Sequence, residues 1–152
     1  MRVARQAPVH PDAAAGLLEL PPMSDIRVPV SPGELLDKIT ILRIKAARMA
    51  DPHKLANVRL ELTLLSEIWH GCGGAAQCPA ADEQALQAVN ERLWDIEDRI
   101  RDKEGAGSFD AEFVQLARSV YLCNDERAAI KKRINVALGS RLVEEKSYRP
   151  YR

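Results

Sequence analysis

Residues 31–50 read SPGELLDKITILRIKAARMA, and they carry the clearest local signal in the chain. Leu35, Ile39, Leu42, Ala46 and Met49 recur at steps of four, three, four and three, the spacing of one helix face. Ser31 is placed to cap, Pro32 suits the first helical position, and Glu34 completes an S-x-x-E capping box. The predicted helix runs to about Ala50.

The same devices recur downstream. Asp51-Pro52 opens a second helix to about His70, with Leu55, Val58, Leu62, Leu65 and Trp69 as its apolar stripe. Gly71 to Pro79 (GCGGAAQCP) is Gly-rich and predicts a loop. A third helix starts at or near Asp82, with a seam of Leu86, Val89, Leu93, Ile96 and Ile100, and Gly105 and Gly107 stop it. Ser108 opens a fourth, with Phe113, Leu116, Val120, Cys123, Ile130, Ile134 and Ala137 inward, and Gly139-Ser140 ends it. Four helices on short connections predict an all-α, four-helix antiparallel bundle.

The flanks are different. Ile26, Val28 and Val30 alternate with Arg27 and Pro29 in a short extended segment, and Pro29 restricts any pairing there to an edge. The tail, Arg141 to Arg152 (RLVEEKSYRPYR), has no helical stripe and is expected to be extended. It is expected to dock through Glu144, Glu145, Lys146 and Tyr148, pairing with residues 26–30 and meeting the basic first helix. Residues 1–22 are Ala/Pro-rich and aperiodic, which predicts a disordered extension ahead of a single helical domain over 23–152. Met23 is the expected start, a point that peptides from residues 1–22 in the native protein would contradict.

Composition narrows the function classes. The 152 residues are 46% apolar and 29% charged, enough for one core. Lys plus Arg and Asp plus Glu are both 22, so no net field draws the chain to nucleic acid, and no nucleic-acid partner is expected. No apolar run approaches the roughly 20 residues of a membrane span. Three cysteines, an odd count, argue against a disulfide framework and for a cytoplasmic location.

Chemistry-bearing clusters are few. His70, Cys72 and Cys78 have the spacing H-x-C-x5-C, which lacks the paired couples of a zinc site. The third helix carries eight carboxylates between Asp82 and Glu104 against four cations, but its Asp95/Asp98 pair has no acidic counterpart on another helix, as a magnesium site would need. Lys38, Arg43, Lys45 and Arg48 line the first helix without the ordered pattern of a chorismate-mutase-like pocket. No catalytic residue, metal or cofactor is expected. The informative feature is polarity beside the seams: Asn90, Trp94 and Glu97 on the third helix, and Tyr121, Asn124 and Lys131 on the fourth, with Arg127 on the seam itself. Asn and Arg at such positions need partners, which predicts a polar network or ligand pocket between these two helices, with Glu97 and Asp98 beside Asn90 as partners for Arg127.

At SPGELLDKITILRIKAARM (31–49), KLANVRLEL (54–62), LWDIEDRIR (93–101), ARSVYLCNDERAAIKKRIN (117–135) and GSRLVEEKSY (139–148), the chain resembles an uncharacterised bacterial family known as a domain of unknown function. That resemblance implies no catalytic residue, and it implies a glycan or cell-envelope context. The resulting expectation is a non-enzymatic cytoplasmic accessory protein that binds a protein partner or a second copy of itself. The alternative is a small helical enzyme or ligand-binding protein built on the Asn90/Trp94/Tyr121/Asn124/Arg127 region.

Overall fold

Ser31 accepts the Glu34 amide at 3.3 Å and opens α1 (Pro32–Arg48) with Pro32 in its first turn. Only half of the capping box forms. The Glu34 carboxylate turns away to the Lys131 ammonium, a stronger partner than a backbone amide. The computed structural model describes residues 26–147, so the expectations for residues 1–22 and for Tyr148 lie outside the described residues.

Asp51 caps α2 (Pro52–Gly71), accepting from the amides of His53 and Lys54. Inside the expected loop lies a one-turn helix, α3 (Gly74–Gln77), whose Gly74 backbone rests on the ring of the buried Trp69. Next, α4 (Ala80–Gly105) begins two residues ahead of Asp82, leaving Asp82 and Glu83 in the first turn, where carboxylates complement the helix dipole. The last helix, α5 (Ala111–Ala137), starts later than Ser108, because Asp110 takes the capping role and accepts from Phe113 N at 3.0 Å. Ser108 donates to that carboxylate instead. At the far end Gly139 adopts φ 62°, and the Ser140 and Gly139 amides close on the carbonyls of Asn135 and Val136.

Among the described residues the chain is an all-α helical bundle with no strand. The pairs Asp82–Arg133, Arg92–Glu126 and Arg99–Glu112 track an antiparallel α4–α5 hairpin. Central α1 packs on α2, α4 and α5, whereas α2 packs chiefly on α1 and α3. Leu36, Ile39, Trp69, Leu86, Val89 and Ile134 form the dry centre.

The expected pairing of the tail with residues 26–30 does not form. Both segments are extended and exposed, and the tail turns back along α5, with Glu144 on Lys131 and Glu145 on Lys132, each at 3.0 Å. It does not reach the basic face of α1 as expected. A chain leaving α5 at Gly139 closes the shortest loop onto the cations of that helix's own last turns.

The α4–α5 corner is pinned by Lys103, which pairs with both Asp110 and Glu112 at 2.7 Å. That hydrogen bond, with the Phe113 amide second, lowers the Asp110 carboxyl from 3.8 to about 2. A lowered carboxylate contributes stability above its ordinary value and loses it as pH falls through the folded one. The corner is therefore expected to loosen as pH drops from 3.8 toward about 2. In an NMR titration Lys103→Met should bring the Asp110 midpoint back toward 3.8; a midpoint unmoved from about 2 would acquit Lys103.

Candidate functional site

Besides its apolar stripe, α1 buries a second line of residues, Gly33, Asp37, Thr40 and Ile44, spaced four, three and four. Two of these are polar. Asp37 is 6% exposed and Thr40 fully buried, and each must find a partner from another helix. Asn90 on α4 supplies it, its Nδ2 donating to Asp37 Oδ1 at 2.8 Å and to Thr40 Oγ1 at 2.9 Å. The Asn90 Oδ1 then accepts from Arg127 Nη1 of α5 at 3.4 Å.

One turn further along α5, the buried Lys131 ammonium meets three carboxylates. Glu34 is its closest partner, Glu144 of the tail lies at 3.0 Å, and Asp37 Oδ2 at 3.9 Å. Burial works to lower the Lys131 pKa, but the hydrogen bonds from Glu34 and Glu144 and the field of Asp37 outweigh it, and the net direction is upward. Its reciprocal effect holds the Glu144 carboxyl below the ordinary glutamate value. A turn on, Asn135 Oδ1 accepts the Gly33 amide at 2.7 Å, while its Nδ2 finds no partner among the described residues.

Of the residues expected to form one pocket, the structure brings together Asn90, Arg127 and Lys131. It does not bring in the rest. Trp94 lies under the Arg48 guanidinium, 5.9 Å from the ring centroid, and Glu97 pairs along its own helix with Arg101. Tyr121 is exposed and accepts from Arg118, and Asn124 offers its backbone carbonyl to Lys146. Arg127 meets Asn90 but takes part in no ion pair with Glu97 or Asp98. The physical correction is that the network closes across α1 rather than between α4 and α5 alone, because Asp37 is the buried charge that has to be satisfied. Asp37, Thr40 and Glu34 went unread, although a second four-three-four line on α1 was there to find.

His70, Cys72 and Cys78 do not converge: His70 Nδ1 meets the Ser66 carbonyl and Cys72 the Trp69 carbonyl. Among the described residues no group of three or more His, Cys, Asp or Glu could hold a metal ion, and no helix is long and apolar enough to cross a membrane.

A second feature lies on the opposite side of α1. Leu60, Leu64 and Ile68 form an outward stripe on α2, 63%, 46% and 56% exposed. The last two line a groove of about 1010 Å³ whose other wall is the segment carrying Ile26, Val28 and Val30.

Fold and site together define an all-helical bundle with a closed polar seam inside and an apolar groove outside. Within that class the chain belongs to DUF6165, a family of unknown function, whose model matches residues 26–151. No curated protein and no solved structure matches the chain.

Proposed function

We propose that the protein is an accessory protein that acts by binding rather than catalysis, through the apolar face of α2 and residues 26–30. The observation that carries this is α2 itself: of its 20 residues only Val58 and Trp69 are fully buried, while three large aliphatics point outward. A contiguous apolar face of this kind marks an interaction surface. The buried cation and carboxylates, meanwhile, are engaged with one another. Three free thiols, Cys72, Cys78 and Cys123, support a reducing, cytoplasmic setting. The glycan or cell-envelope context is supported by the family resemblance. A photo-crosslinker at position 64 should give a protein adduct in cells that Leu60→Asp with Ile68→Asp abolishes without changing the helical signal. Cells yielding no adduct at this position would overturn the reading.

A ligand-binding reading is favoured by one residue. Arg127 is half-buried, enters none of the ion pairs among the described residues, and has a single long hydrogen bond to Asn90. An anionic small molecule could complete its fork. On this reading, phosphate- or carboxylate-bearing compounds should raise the melting temperature of the parent and not of Arg127→Met. Equal shifts in both proteins would remove it.

A further inference from the structure

We infer that the α2 face docks a second copy of this chain, α2 antiparallel to α2; the inference rests on reading that face as a binding surface. The charges of α2 are ordered along it. Residues 52–59 hold His53, Lys54 and Arg59 and no carboxylate, whereas residues 60–71 hold Glu61 and Glu67 and no Lys or Arg. This order opposes the helix dipole, which favours anions at the N-terminal end and cations at the C-terminal end.

Neighbouring helices do not account for it either. Glu61 pairs with Lys38 at 2.8 Å, but the exposed Lys54, Arg59 and Glu67 enter none of the ion pairs among the described residues. An antiparallel two-fold lays the basic half of one α2 along the acidic half of the other, twice, and opposes the two dipoles. Leu60, Leu64 and Ile68, at i, i+4 and i+8, then form the seam between the charged flanks. An isologous contact brings one patch against itself, so it requires this kind of self-complementary order. The size is adequate. Twenty residues span about 30 Å, and with residues 26–30 alongside the face covers on the order of 600 Å², near the roughly 800 Å² per partner of a stable interface.

Light scattering after size exclusion of the full chain should give twice the 16.9 kDa chain mass at micromolar concentration. Leu64→Asp should give the monomer. So should Lys54→Glu with Arg59→Glu, and separately Glu61→Lys with Glu67→Lys, each retaining its circular dichroism. Mixed in equal amounts, the two charge variants should associate one to one, because both junctions of the mixed pair are complementary. A parent that stays monomeric overturns the inference, as does a dimer indifferent to these substitutions or folded charge variants that do not associate on mixing. If the purified parent is monomeric while the crosslinker at position 64 captures a different protein, the homodimer falls and the binding reading stands. No adduct of any kind overturns both.

Discussion

Lys131→Met is expected to destabilise the protein by about 2–4 kcal/mol at neutral pH, the largest effect of any single charge removal in the bundle. Removing one member of a buried ion pair typically costs roughly 3–5 kcal/mol, because the other charge is left uncompensated. Here the cost is set by Asp37, whose side chain is 9% exposed and would face Glu34 and Glu144 without an intervening cation. The range is discounted at its upper end because Glu34 and Glu144 are each 47% exposed, and water screens them. The pH dependence follows from the direction of the shifts. The raised Lys131 contributes stability below the ordinary lysine value of 10.5, lost as pH rises past it. The lowered Glu144 contributes above 4.5, and this is lost as pH falls. The network is therefore strongest between these values. In the variant, three carboxylates repel one another until acid protonates them, so the gap from the parent should narrow as pH approaches 4.5. Urea unfolding at neutral and acid pH measures both quantities. Equal neutral-pH stabilities, or a gap that widens in acid, would show that Lys131 does not hold these carboxylates.

Gly33→Ala is expected to cost about 2–5 kcal/mol, although alanine is the better helix former by up to ~1 kcal/mol. A Cβ at this position would lie 2.6 Å from the Lys131 carbonyl oxygen and 2.9 Å from Asn135 Oδ1. The first of these is backbone in mid-helix and cannot swing aside, so the start of α1 has to lift off α5. Overpacking of this kind costs about 1–3 kcal/mol. The lift also breaks the bond from the Gly33 amide and leaves Asn135, 1% exposed, unpaired at both ends, which adds about 1–3 kcal/mol. Gly105→Ala is the control, since nothing lies within 4 Å of its added Cβ. Thermal melts should separate the two variants widely. If both behave as ordinary helix substitutions, α1 does not seat on α5 in this way.

Both predictions concern α1, and α1 shows where local information runs out. Its stripe of Leu35, Ile39 and Leu42, its Ser31 cap and its proline were legible because each depends on neighbours within a turn. The seams of α4 and α5 and the Gly139 stop were legible for the same reason. The helix starts moved by two or three residues where a side chain from another element competed, as when Lys103 stabilised Asp110 as the α5 cap in place of Ser108.

The polar residues beside those seams were a different problem. Asn90, Arg127 and Lys131 stood out because amides and cations are costly inside a helix bundle without partners. Periodicity identified the need but not the partner. Asp37 and Glu34 lie 53 and 97 residues from Asn90 and Lys131, and their carboxylates read locally as ordinary helix-surface charges. Trp94 and Tyr121 carried the same polar-edge signature and turned outward.

By itself the sequence determined the helices, their apolar faces and most of their ends, because these rest on interactions spanning three or four residues. Which helix lies at the centre was decided by the tertiary structure alone. A helix with one apolar stripe can sit at the edge of a bundle. Only packing on three neighbours turned the Gly33–Asp37–Thr40–Ile44 line of α1 into a second buried face, while α2, equally amphipathic, was left with one neighbour and its outer stripe in solvent.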